Sequence, residues 1–529
     1  MKGLRTMARS QGLVRFAVGV SFASAAALSA GVAAASTGLD SPDNGTVQVG
    51  RGSAWLARAD DPLAVYYNPA TLARQASGVY VGAHLMFASQ CFTRVDPNGQ
   101  PVSPGNGIPG PGADRGPDAE VCAEGGVFPN PQLAATFRLS RDLAVGIAIL
   151  GPHGVGKHEW PESVKYEGLA GTQPAPQRYL RVSADATLVF PTFSVSYAPS
   201  DSLSFGAGFV WGLALVEFQN FAEAASNVDP KGVDDFDKHI DLKAKLNAQD
   251  LFIPGVVLGG LWSPTKTVDV AGWYKWQDAL HASTSDVYIL SNYWKAGGAK
   301  ADFNAAYETK DTGLGAGTSV RLQIPMEAKL GFRYHVPREG GSRPKWMGGD
   351  NAGRPIRDPM SQDVFDAELD VTWANNSAVD TLELRFKDGI LVRGAEPGTV
   401  PVNADVPHEW NDVFGVRLGG DWNAIPDFLA LRGGAFFETK GQDDEYLNID
   451  FHVGEKLGLS AGATVRLGPV DASVAYQHTF YGAIDNGGKG ALRALSGDKT
   501  TGNRTLQTVN GGRFEASLDE IALGASYRF

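Results

Sequence analysis

The chain runs to 529 residues, with Gly 65, 10% aromatic side chains and a formal net charge of −12. That length holds two or three ordinary domains, or one long all-β unit. An acidic balance without a basic cluster excludes a nucleic-acid partner, whose phosphates need lysine and arginine against them.

Residues 1–35 read as an export signal. Lys2, Arg5, Arg9 and Arg15 precede the apolar stretch FAVGVSFASAAALSAGVAAA, and Ala33-Ala34-Ala35 before Ser36 matches a signal-peptidase site. The mature chain is expected to start near Ser36. Beyond it no run approaches the roughly 18 to 20 apolar residues that a membrane helix needs. The longest candidate, Leu251 to Trp262, is interrupted by Pro254 and by glycines. An exported chain without a helical span is either soluble or a transmembrane β-barrel, because only helices and closed barrels satisfy the backbone inside lipid.

Residues 36–76 come before the first strand-like stretch and are too few to bury a core alone. Within them, Asn68-Pro69-Ala70 is a turn element: proline fixes φ, lacks a donor and biases Asn68 away from helix. Thr71 to Arg74 can continue as a short helix. Further on, Cys91 and Cys122 bracket a Pro/Gly-rich insert that cannot build a core. In an oxidising compartment such a pair reads as a loop-closing disulfide, and two thiols alone hold a metal poorly.

From Ser77 onward, segments alternate apolar with small or polar residues. Leu133, Phe137, Leu139, Leu143, Val145, Ile147 and Ile149 alternate with Thr136, Arg138, Ser140, Gly146 and Ala148. Phe365, Leu369, Val371 and Trp373 alternate with Asp366, Glu368, Asp370 and Thr372. A period of two marks half-buried strands, and the charged face of the second segment is expected to meet water. Strands are predicted over 77–90, 130–140, 142–151, 185–198, 202–221, 250–263, 267–284, 317–336, 362–376, 411–423, 428–440, 455–467, 470–482 and 515–529. Tight turns alternate with long connections, apart from one long insert, 337–361, where a tight turn was due. This is the pattern of an outer-membrane barrel with short periplasmic turns and long external loops. Ile521, Leu523, Ala525, Tyr527 and Phe529 share one face of the last strand. Trp211, Trp262, Trp273, Trp276, Trp373 and Trp422 lie in strands or near their ends, as interfacial girdles require.

The expected fold is therefore an all-β, transmembrane antiparallel β-barrel of about 14 strands over residues 77–529. A barrel of that size has a lumen too wide for its own side chains to fill. Residues 36–76 are expected to fold inside it as a hatch.

GSAWLARADDPLAVYYNPATLARQ, with its Asn-Pro-Ala step, resembles the hatch of the FadL family of outer-membrane transporters of long-chain fatty acids and other hydrophobic compounds. The resemblance continues through PQLAATFRLSRDLAVGIAILGPHGVGKHEW, FPTFSVSYAPSDSLSFGAGF, GVRLGGDWNAIPDFLALRGGAFF and GLSAGATVRLGPVDASVAYQHTFYG, most of the mature chain. It implies a fourteen-stranded barrel in the outer membrane of a Gram-negative bacterium, a hatch closing its lumen, and passive uptake of a long-chain fatty acid or another hydrophobic ligand. It also implies contact with outer-membrane lipids, a monomer and no cofactor. In the family, ligand leaves sideways where the third strand is kinked, and the matching stretch is Gly151-Pro152-His153-Gly154. Proline there removes a ladder hydrogen bond and glycine permits a bend; on the residues alone, the strand could equally end at Leu150 and a loop begin. Arg58 and Arg74, beside the hatch motif, are candidates to pair with a carboxylate head group. The 91–129 and 337–361 inserts depart from the family pattern, and no single ligand-contacting side chain aligns.

Other motifs point to no chemistry. Gly458-Leu459-Ser460-Ala461-Gly462 matches G-x-S-x-G but continues as strand, without the helix a nucleophile elbow needs. His158-Glu159-Trp160 and His408-Glu409-Trp410 lack the spacing of a helix-borne zinc motif, and the acidic run from Asp229 to Asp241 lacks a calcium-loop pattern. The leading reading is therefore a transporter with no catalytic and no metal site. The alternative is a barrel that binds a surface partner through its long external loops, as adhesins and receptors do.

Overall fold

Apolar side chains at every second position become the outer face of a closed ring of 14 antiparallel strands. The computed structural model describes residues 44–95, 120–151, 157–164, 173–224, 240–290, 307–308, 318–340, 356–385, 405–492 and 508–529. The expected signal segment 1–35, residues 36–43 of the expected hatch, Pro152, His153 and Gly154, and most of the acidic run lie outside the described residues.

The ring strands are β1 (Gly78–Arg94), β2 (Phe128–Arg138), β3 (Leu143–Ile149), β4 (Ser183–Val189 with Thr192–Tyr197), β5 (Leu203–Ala224), β6 (Ile240–Trp262) and β7 (Val268–Gln277 with Leu280–Leu290). They continue as β8 (Thr318–Leu322 with Glu327–Pro337), β9 (Asp363–Ala374), β10 (Val413–Ile425), β11 (Leu429–Glu438), β12 (Lys456–Leu467), β13 (Val470–Tyr481) and β14 (Gly512–Arg528). Each pairs with its neighbours in sequence, and β1 closes the ring: Val81 stands opposite Leu133 of β2 on one side and Ala525 of β14 on the other. A closed ring leaves no unpaired edge, the condition for a sheet to cross lipid.

Side chains split by parity. Leu133, Phe193, Phe332, Leu418, Tyr476 and Leu523 are all exposed on the outside. The inward positions between them are buried. Outward Trp211, Trp262, Trp276 and Trp422 are exposed, in keeping with a girdle, whereas Trp273 points inward and donates its indole N–H to the carbonyl of Tyr66, 2.8 Å away. β6 starts well before its predicted onset at 250. Its added stretch alternates in the reverse sense, with Leu246 and Ala248 buried inward and Lys245 outward, paired to Glu217 of β5 at 2.7 Å, so it lacks the apolar outer face that marks a lipid-facing strand.

Cys91 and Cys122 form a disulfide across β1 and the short strand Glu120–Cys122, whose backbone pairs in the same register. It staples the base of the insert to the ring.

Candidate functional site: the plugged lumen

Residues 44–76 sit inside the ring and are almost wholly buried. They carry two short helices, Thr46–Gly50 and Ala64–Tyr67, and a tight helical segment, Pro69–Arg74. None is long enough to be stable alone. The ring wall supplies what holds them.

The strongest hold is a ladder of carboxylates on β9. Asp366, Glu368 and Asp370 share its inner face, so the charged face meets the hatch and not water. Arg51 pairs with Asp366 and with Asp421 of β10, each at 2.7 Å, and with Glu368 at 3.4 Å. Arg58 pairs with Asp366 at 2.7 Å and Asp421 at 3.1 Å. The backbone N–H groups of Trp55 and Leu56 donate to Asp370, and those of Ala57 and Arg58 to Glu368. Carboxylates thus satisfy a hatch turn that has no sheet to join. Buried charges survive only when paired and hydrogen-bonded in this way.

The Asn68-Pro69-Ala70 step has a matching seat. The side-chain oxygen of Asn68 accepts from Ala70 N–H at 3.2 Å while its amide donates to the Leu56 carbonyl at 2.8 Å, pinning both halves of the hatch together. Ser194 and Ser196 of β4 donate to the carbonyls of Val65 and Ala70. The step rests on Gly206 of β5 and Gly259 of β6. A β-carbon at Gly206 would stand 2.3 Å from the Pro69 carbonyl carbon, and one at Gly259 would stand 2.3 Å from Asn68 Oδ1. Only glycine allows the two backbones so close.

The inner wall above the hatch has two characters. From β4 to β8 it presents Val210, Ile253, Leu280, Val320 and Ile324, which join hatch residues Leu63 and Val65 in one buried apolar cluster. Charge dominates from β9 to β14 and extends onto β7 and β8 through the buried pairs Lys275–Glu327 and Asp269–Arg333. The apolar side reaches up to Trp410 and Phe451 in the outer loops. There His408 Nε2 pairs with Asp450 at 2.7 Å and its ring stands edge-on to Trp410. Burial opposes charge on His408, yet Asp450 holds its pKa above the ordinary histidine value. Arg181 is buried close by; Nη1 of its guanidinium has no hydrogen-bond partner, and burial lowers its pKa to about 10 against the pull of Asp450. The indole nitrogens of Trp160 and Trp410 are also buried without a partner. Buried donors are normally satisfied, so unpaired ones in a cap over an apolar path mark a place for an acceptor.

Arg58 and Arg74, the expected head-group candidates, are engaged within the protein in this structure. Arg58 is committed to Asp60, Asp366 and Asp421, and Arg74 donates to the carbonyls of Ser200 and Leu203 at the short-turn end. Arg181 was missed because its loop has neither periodicity nor motif. Gly151 follows the end of β3, and its carbonyl turns inward to accept from Asn130 at 3.1 Å and from hatch residue Asn44 at 3.5 Å. Ser460 lies mid-strand in β12, donating to the Gly434 carbonyl. His408 is engaged by Asp450, and the side chain of His158 lies outside the described residues. The one group of metal-type donors among the described residues is Cys91, Glu120 and Cys122, in which both thiols are consumed by the disulfide.

No family model and no curated protein sequence matches the chain. Its fold is similar to solved structures. A Pseudomonas aeruginosa FadL homologue shares 17% identity at a TM-score of 0.64, over 93% of this chain and 99% of that one. The Ralstonia pickettii toluene transporter TbuX shares 14% at 0.54, over 92% and 99%. The P. putida toluene transporter TodX shares 12% at 0.56, over the same shares. At these identities the likeness is one of fold, and it covers the barrel from end to end.

Two outcomes follow from the latch. Asp366→Ala strands Arg51, Arg58 and Arg333 around a lost carboxylate and is expected to cost about 3–5 kcal/mol, read as a lower denaturant midpoint of the folded barrel. Asp61 on the hatch is pushed up to about 7 by burial and by neighbouring Asp60. The docked hatch therefore keeps a proton that the released chain gives up above about pH 4, and docking weakens as pH climbs from there to about 7. Asp61→Asn removes that slope, so its melting temperature gains on the parent protein as the pH is raised.

Proposed function

We propose that the chain is an outer-membrane channel for passive uptake of hydrophobic molecules bearing an anionic head, of which long-chain fatty acids are the natural class. One observation carries this reading: the apolar wall that runs from the outer cap to the hatch, topped by an underpaired arginine. An apolar solute crosses the polar outer leaflet poorly, and buried apolar side chains offer its tail a dry path. Arg181, with a buried guanidinium nitrogen that lacks a partner beside the His408–Asp450 pair, suits a carboxylate. A purely neutral aromatic has no use for that charge. Toluene is what the TbuX and TodX structures are named for transporting; the cap here favours a charged amphiphile. The break after β3 supports sideways release: Gly151 gives its carbonyl to Asn130 and Asn44 in place of a strand partner. The hatch, closed in this structure, must shift for passage.

Uptake of labelled oleate by cells lacking their own transporter tests the reading. Arg181→Gln is expected to weaken oleate uptake by about tenfold or more, the value of a charge-assisted hydrogen bond, while toluene uptake holds. Equal loss of both solutes contradicts the head-group role, and parent uptake no better than an empty vector contradicts transport.

A further inference from the structure

The connection from β8 to β9 was an insert without a reason. Its described end, residues 356–362, lies across the mouth on the short-turn side and ends in the helix Pro359–Gln362. Two adjacent residues in it reach opposite ways. Arg357 pairs with Asp269 of β7 at 3.1 Å and donates to Ser263. Asp358 takes Arg466 of β12 at 2.7 Å and Arg528 of β14 at 3.1 Å. In a ring of 14 strands, β7 and β14 stand half a circuit apart. The segment therefore ties opposite walls together across the opening. Asn423 of β10 holds it down further, donating to the Pro359 carbonyl at 2.8 Å.

The same segment grips the hatch. Arg357 N–H donates to the Arg74 carbonyl at 2.9 Å, and Ile356 packs against Ala76 in a buried pair. Charge then runs unbroken from floor to latch. Asp269 pairs with Arg333 at 3.1 Å, Arg333 with Asp366 at 2.8 Å, and Asp366 with Arg51 and Arg58 at 2.7 Å. Each carboxylate in this chain serves two arginines or more, so loosening one end leaves charge uncompensated at the next.

We propose that residues 356–362 are a floor strap, a second lock that holds the hatch docked from the short-turn side. Opening of the hatch then requires the strap to yield first. The proposal goes beyond the transport reading and needs no ligand, so its test can fail without touching that reading. The strap's ion pairs at both ends, Arg357 with Asp269 and Asp358 with Arg466, are the contacts that opening would have to break.

The experiment compares full-length protein with Arg357→Gln/Asp358→Asn and with a control at an exposed turn, Asp201→Asn. Hydrogen exchange is followed at residues 46–58 of the hatch, together with ion conductance in planar bilayers. The strap variant is expected to exchange at 46–58 at least about tenfold faster, with more frequent conductance steps and unchanged exchange in β2 and β3. Acceleration confined to residues 70–76 and 356–362, with 46–58 and conductance as in the parent, overturns the proposal and leaves a local cap. Should the double variant fail to fold, Arg357→Lys keeps the charge, loses the two-nitrogen reach and is read by the same criteria.

Discussion

Arg51 and Arg58 inside the ring, against Asp366, Glu368 and Asp421, are the contact on which the rest of the molecule depends. A ring of this size cannot fill its own lumen, and residues 44–76 cannot fold without a wall. Neither half of the protein is complete alone. The charges are buried on both sides, and such pairs contribute less to net stability than to the choice between states: paired they are tolerated, and half-paired they are strongly unfavourable. Moving the hatch would leave these charges half-paired, which favours the docked position.

The same constraint explains why the wall is divided. Carboxylates and arginines are most numerous on β9 to β14, where the latch is, and Asp269, Glu327 and Arg333 continue them onto β7 and β8. The apolar inner residues gather on β4 to β8, and the Asn68-Pro69-Ala70 step sits on that side against glycines that let it approach. A hydrophobic solute moving down the apolar side would meet the hatch at its proline step and not at its ion pairs.

Much of this was legible in the sequence, and the parts that were not have physical reasons. Period-two alternation located the ring strands because lipid on one side imposes contrast at every second residue. It did not reveal the outer part of β6, where the outward face carries Lys245 against Glu217 and the apolar residues, Leu246 and Ala248, turn inward. Alternation in Phe365 to Trp373 identified a strand but not what its acids faced, since a charged inner face looks the same against water or against a hatch. Trp273 likewise passed for a girdle residue. The Asn-Pro-Ala step read as a turn because proline restricts its neighbours locally, and the resemblance of the residues around it pointed to a hatch. Arg58 and Arg74 looked available because sequence shows charge and not partners, whereas Arg181 is notable only for the partner that its buried nitrogen lacks. The strap was invisible for the same reason: Arg357 and Asp358 are an ordinary charged pair until the ring brings Asp269, Arg466 and Arg528 around them.

The docked hatch can be caught directly. A β-carbon on Gly50 would lie 3.2 Å from that of Ala475 on β13, close to the separation a disulfide spans, and the two native cysteines are already bonded to each other. In Gly50→Cys/Ala475→Cys protein assembled in membranes, the account predicts that a mild added oxidant such as copper phenanthroline joins the new thiols to each other, and that before oxidation they resist labelling from the aqueous side. Free thiols at both positions, with the one at position 50 open to a water-soluble reagent, would contradict it.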